Sequence, residues 1–195
     1  MARLGIVKVR GERDVNTYVL SSGPGGEAVV IDPTAPPEKV LAQLEGLTVR
    51  WIVATHGHPG HLAGKDALKA ATGAPTAMHM ADAKTFLRSA DRYLLDGDEL
   101  EFGPFRLKTL VMPGHTPGSL AFRIGNHLFT GDTLLAGGIG KQGPDTDLRR
   151  QLVSIGSRIS ELPLETAIYP GHGAVTNLAA EIRQNPVFRG APVQG

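Results

Sequence analysis

A chain of 195 residues is long enough to bury one hydrophobic core and matches the size of a single ordinary domain. Its net charge of +1, with Lys and Arg scattered along it, leaves no polyanion footprint, so nucleic acid is not an expected partner. The absence of cysteine excludes disulfides, thiolate catalysis and cysteine-held metal, so any ion must be bound by histidine and carboxylate.

Taken in chain order, Met1 to Arg10 interleaves charge with apolar residues, unlike a signal peptide, and no apolar run approaches a membrane span. The expectation is therefore a cytoplasmic protein with no membrane partner. Leu4 to Val9, Thr17 to Leu20 and Ala28 to Ile31 read as successive strands. After the break at Asp32-Pro33-Thr34, Pro36 or Pro37 opens a helix with Val40, Leu41 and Leu44 on one face, ending at Gly46. Val49 to Ala54 is a β-branched, apolar strand that stops at Thr55-His56-Gly57-His58-Pro59-Gly60-His61. A helix is predicted from about Leu62 to Thr72 with Gly73 as its C-terminal stop, then a strand at Pro75 to Met78 and a helix at Asp82 to Ser89.

The second half repeats this character. Glu99 to Phe102 and Phe105 to Met112 form a predicted hairpin, followed by the loop Pro113 to Gly118. Leu120 to Ile124 and His127 to Thr130 pair across Gly125-Asn126, a two-residue turn signal. Leu135 to Pro144 is Gly-rich and reads as flexible. Leu148, Leu152, Ile155 and Ile159 share one face of a helix from Asp147 to Leu162. Ala167 to Tyr169 is a strand that breaks at Pro170-Gly171-His172-Gly173, and a last helix runs from about Val175 to Arg183. No linker divides the chain, so residues 1–195 are expected to form one domain, with 185–195 a loose tail.

Three histidines within six positions at a strand end can aim their imidazoles at one point, and neutral imidazole is the commonest metal ligand. His115, Asp132 and His172 stand on three further strand-end loops, so five of the seven histidines follow a strand next to Gly or Pro. His79 and His127 have no such context. This pattern resembles the metallo-β-lactamase-fold superfamily, whose motif reads H-x-H-x-D-H followed by a distant His, Asp and His. The contexts Gly114 to Ser119, Phe129 to Thr133 and Tyr169 to Gly173 are similar to those of small glyoxalase II-like hydrolases, as is the ending Glu181 to Pro186.

The resemblance implies an α/β fold, a four-layer αβ/βα sandwich of two mixed sheets packed face to face with helices outside. It places His56, His58 and His115 at a first metal position, His61 and His172 at a second, and Asp132 between them, with Asp132 and His172 serving catalysis. It suggests that Lys141 contacts a small-molecule substrate; Tyr169 could line the substrate pocket or stand as a core aromatic with its hydroxyl at the rim, and Asp32 could orient a ligand imidazole from behind. A full glyoxalase II carries an added helical domain that helps bind glutathione, which this chain is not expected to contain.

The departure is Gly60, where the motif has Asp. With that ligand missing, the expectation is one tightly held Zn²⁺ and a weak or empty second position. A single Zn²⁺ lowers the pKa of bound water to about 7 and polarises a carbonyl. Amide cleavage requires protonation of the leaving amine, whereas a thiolate leaves unaided because thiols have a pKa near 8.5. The leading expectation is thus a metallo-hydrolase of thioesters or activated esters. Two others stand beside it. One is a mononuclear Fe²⁺ persulfide dioxygenase using His56, His115 and Asp132 as a two-His, one-carboxylate face. The other is a metal-binding member without turnover. The sequence assigns no oligomeric state.

Overall fold

The computed structural model describes residues 3–11 and 14–189. Among the described residues twelve strands form two six-stranded mixed sheets. The first runs β1 (Gly5–Arg10), β2 (Asn16–Ser21), β3 (Glu27–Ile31), β4 (Thr48–Val53), β5 (Thr76–Met78) and β6 (Arg92–Tyr93), in that spatial order. The second runs β12 (Thr176–Asn177), β11 (Ala167–Pro170), β10 (His127–Gly131), β9 (Leu120–Ile124), β8 (Phe105–Val111) and β7 (Glu99–Phe102). Hairpin neighbours pair antiparallel. Pairs β3–β4, β4–β5, β5–β6 and β10–β11 are parallel.

Alternation along the strands builds the layers. Leu20, Val29, Ile31 and Val53 of the first sheet face Leu107, Leu120, Phe122 and Phe129 of the second, in one buried cluster between the sheets. On its other face the first sheet carries Val19, Val30 and Ile52, which pack on Val40 of helix α1 (Pro37–Gln43), on Leu44 at its C-terminal cap and on Leu68 of α3 (Lys65–Thr72). On the far side Ala121, Leu128 and Ile168 pack on Ile155 of α5 (Leu148–Arg158) and Leu178 of α6 (Leu178–Gln184). The result is the expected helix, sheet, sheet, helix sandwich.

Several expected boundaries shift, each for a local reason. The helix predicted from Leu62 to Thr72 is two pieces, α2 (Pro59–Leu62) and α3. The Gly64 amide donates to the Pro33 carbonyl at 2.7 Å, and a Cβ there would press that oxygen at 3.0 Å, so the helix breaks where the chain packs on β3's exit. The helix expected at Asp82 to Ser89 is α4 (Met80–Thr85), which starts earlier because His79 caps it, Nδ1 accepting from the Ala81 amide. In α5 Asp147 is the cap, accepting from the Arg150 amide, and the helix ends at Arg158 rather than Leu162. Strands β6 and β12 are too short to show periodicity, and β12 takes the start of the helix expected from Val175.

The first part of the Gly-rich 135–144 segment, Leu135 to Gly138, is tied down rather than loose. Gly137 N donates to Glu181, and the Asn185 side chain donates to the Leu135 and Gly138 carbonyls. For the same reason the loose tail does not begin at 185. Asn185 is fully buried, and Val187 and Phe188 of a 3-10 helix (Pro186–Arg189) pack on the outer core. Residues 190–195 of the expected tail lie outside the described residues. Among the described residues no helix is long and apolar enough to cross a membrane.

Candidate metal centre

Four loops at one edge of the two sheets bring the six predicted ligands together. The loop after β4 carries His56, His58 and His61; the loops after β8, β10 and β11 carry His115, Asp132 and His172. His58 Nδ1 and His115 Nε2 are 3.2 Å apart. Asp132 places Oδ1 3.6 Å from His61 Nε2, and Oδ2 3.7 Å from His115 Nε2 and 3.3 Å from His172 Nε2. Donor atoms of His56, His58 and His115 lie within 4.8 Å of one another, as do those of His56, His61 and Asp132, so the two groups share His56.

These atoms fit an ion. His56 Nε2, His61 Nε2 and Asp132 Oδ1 are buried without a hydrogen-bond partner among the described residues, a costly arrangement unless something else satisfies them. Two tetrahedral ligands at Zn–N distances near 2.0–2.1 Å lie about 3.3 Å apart, close to the separations found here. Histidine and carboxylate donors suit zinc and iron alike.

Burial sets the charge state. It pushes His56 and His58 below the ordinary imidazole range, reinforced by the neighbouring His61, and His115 is lowered to about 4 for the same first reason. These three therefore present neutral nitrogens. For His61 burial pulls the same way, but the charge and hydrogen bond of Asp32, with Asp132, outweigh it and hold the pKa up. Burial opposes ionisation of Asp132, yet the hydrogen bond with His172 and the charges of His61 and His56 hold it well below the usual carboxylate range.

The imidazoles are oriented from behind. Asp32, at a positive φ of 50° that Asp tolerates, accepts from the Thr55 amide at 2.7 Å and the Thr55 hydroxyl at 2.8 Å, and its Oδ2 lies 3.1 Å from His61 Nδ1. Thr55 Oγ1 in turn lies 3.0 Å from His56 Nδ1. Both outer nitrogens are thus engaged, which leaves Nε2 of each ring toward the centre.

Three further groups position these loops. Asp82, fully buried at the start of α4, accepts from Gly57 N at 2.7 Å, Thr116 Oγ1 at 2.7 Å and Gly118 N at 2.6 Å, so it clamps the loop of His58 to that of His115. The Asn16 side chain donates to the Pro170 and Gly173 carbonyls and secures the His172 loop. Buried Gln151 donates to the Asp132 and Thr133 carbonyls. Their partners are distant in sequence, so no spacing pattern reveals them.

Of the two residues considered for substrate contact, Lys141 is exposed on the loop whose Gly140 amide donates to the Asp132 carbonyl at 2.8 Å. Tyr169 is half-buried against β10. Its ring stacks on Phe129 at 4.7 Å and its hydroxyl is 3.0 Å from His127 Nδ1, so the structure gives it a packing role. His172, with 34% of its side chain exposed, is the open side of the centre. Gly60 has no atom within 4 Å of where its Cβ would stand except Val15 Cγ2, at 3.9 Å.

A family model described as the Metallo-beta-lactamase superfamily matches residues 10–172, a span that holds all six candidate ligands. The chain belongs to this superfamily. It is 35% identical over 176 residues to a hydroxyacylglutathione hydrolase of Anaeromyxobacter dehalogenans, covering 89% of this chain and 68% of that enzyme. Among solved structures of the superfamily it is similar to the BLEG-1 B3 metallo-beta-lactamase, with a TM-score of 0.85, 28% identity and coverage of 94% and 99% of the two chains. It is likewise similar to ETHE1 from Myxococcus xanthus, with a TM-score of 0.84, 30% identity and coverage of 95% and 85%.

Proposed function

We propose that the protein is a metal-dependent hydrolase of thioesters or other activated esters, with one tightly held ion. The observation that carries this reading is Gly60, which leaves the centre without the carboxylate that would complete a second position and protonate a poor leaving group. His56, His58, His115 and Asp132 would hold the ion, with His61 and His172 facing the other side of Asp132.

When bound, Zn²⁺ supplies an acidified water and an electrophile for the substrate carbonyl. The chain's own groups divide the remaining work. Ionised Asp132 is an acceptor at the middle of the cluster, and His172 Nε2, next to it and open to solvent, is placed to carry a proton between Oδ2 and bulk water. Lys141, on the loop against Asp132, is suited to a substrate carboxylate. No acid is required for the departing thiolate, which is why the gap at position 60 is compatible with turnover.

The dioxygenase reading retains one specific support, because His56, His115 and Asp132 by themselves form a two-His, one-carboxylate face. Metal analysis of protein expressed without supplementation, followed by assays on matched thioester and amide substrates, tests both. The expected result is kcat/KM for the thioester above that for the amide by a factor on the order of 100 or more, since about 2.7 kcal/mol of leaving-group assistance is missing. Equal rates on amides overturn the preference for thioesters and activated esters argued from Gly60. One iron per chain with oxygen uptake on glutathione persulfide overturns the hydrolase reading.

A further inference from the structure

Beside the metal centre a cavity of about 440 Å³ opens between the exit of β3, helix α2 and the chain entering β2. Its walls include Val15, Ala35, Pro36, Pro59, Gly60 and Ala63. Among the described lining residues Thr34 is the one polar side chain and none is ionisable, while the prolines contribute no N–H. Such a size and lining suit an apolar group.

Two contacts join this cavity to the reacting centre. Gly60 lies between His58 and His61, and the space in front of it is open as far as Val15. Val15 in turn forms a β-bridge with His172. An aspartate at 60 would stand a carboxylate at this mouth; glycine leaves it open and uncharged. The loop bearing Lys141 approaches elsewhere, with Gly140 against Asp132 and His115, so the polar half of a substrate has a separate place.

We propose that this cavity binds the apolar acyl substituent of the substrate, so that the preferred substrates are thioesters of medium-length aliphatic acids. This rests on the hydrolase reading, and it gives Gly60 a second consequence beyond the lost ligand, namely an uncharged wall on the apolar chamber between His58 and His61.

The test is a series of N-acetylcysteamine thioesters from acetyl to octanoyl with the metal-loaded full chain, beside a binding measurement that needs no turnover. Each added methylene should raise kcat/KM about fourfold until the cavity is filled. Ala63 is exposed at the end of α2, so Ala63→Leu should be accommodated while it narrows the chamber; it should bring the hexanoyl-to-acetyl ratio of kcat/KM toward one. Titration with neutral hexanamide should give saturable shifts of the Val15 and Ala63 methyl resonances, abolished for Val15 in Ala63→Leu. Hexanamide binding with no thioester turnover would retain the cavity as an apolar subsite and overturn the hydrolase reading alone. A flat chain-length series without hexanamide binding, or a length gain that survives Ala63→Leu, would overturn the proposal.

Discussion

Replacing Asp82 by alanine should loosen the metal centre from a position that touches none of its ligand nitrogens. The carboxylate accepts from two backbone amides and one hydroxyl, on loops carrying His58 and His115. Thr116 keeps Ser119 Oγ as a partner at 2.7 Å after the change, so two buried amides, Gly57 and Gly118, are left without an acceptor. At about 1–3 kcal/mol for each orphaned donor, Asp82→Ala should cost about 2–6 kcal/mol. For a domain of this size that lowers Tm by about 4–24 °C. Asp82→Asn keeps one acceptor oxygen but turns an N–H₂ toward another donor, so it should fall between the two. Because the clamp sets the His58–His115 spacing, metal affinity should drop about 10- to 100-fold, as for other outer partners of ligand groups. Urea and thermal unfolding with and without metal, together with competition against a chromogenic chelator, read both effects. A Tm within about 2 °C of wild type, with unchanged metal affinity, would refute the clamp.

Gly60→Asp should be tolerated, since the added Cβ meets only Val15 at 3.9 Å, and should raise bound metal from one ion per chain toward two by elemental analysis; unchanged stoichiometry would mean that the glycine is not what limits the second position. Gly171→Ala should fold but lose metal affinity about 10- to 100-fold, because its Cβ would collide with Asp132 Oδ1 and stand 2.7 Å from His61 Cε1; retention of wild-type affinity would contradict that close approach. Metal binding through His56, His58 and His115 should release few protons at pH 7, since all three are held low and His115 near 4, and affinity should weaken as pH falls toward 4 when protons compete. Engagement of His61, whose pKa is held up, should instead release a proton. Calorimetry in buffers of different ionisation enthalpy counts these protons, and release of about two or more would contradict neutral imidazoles at the first group.

Much of this protein was legible before any tertiary contact was known. The strand cores, the turn at Gly125-Asn126 and the left-handed stop at Gly73, with φ of 70°, depend on neighbours within a few residues, and such signals survive in a linear reading. The candidate ligands are legible as a cluster too, because a cysteine-free chain restricts metal donors to His and carboxylate, and strand ends deliver these residues to one edge of the sheets. What the chain alone left open was everything set by residues far apart in sequence. The Pro33 carbonyl breaks the helix at Gly64; Glu181 and Asn185 pin the first part of the Gly-rich segment; Phe129 and His127 draw Tyr169 into the packing. Asp82 shows the division most plainly. In sequence it is an acidic residue at the head of a predicted helix, indistinguishable from a solvated cap. Only when the two sheets close does its carboxylate meet three donors from two loops, because a buried charge is kept only where folding supplies its hydrogen bonds.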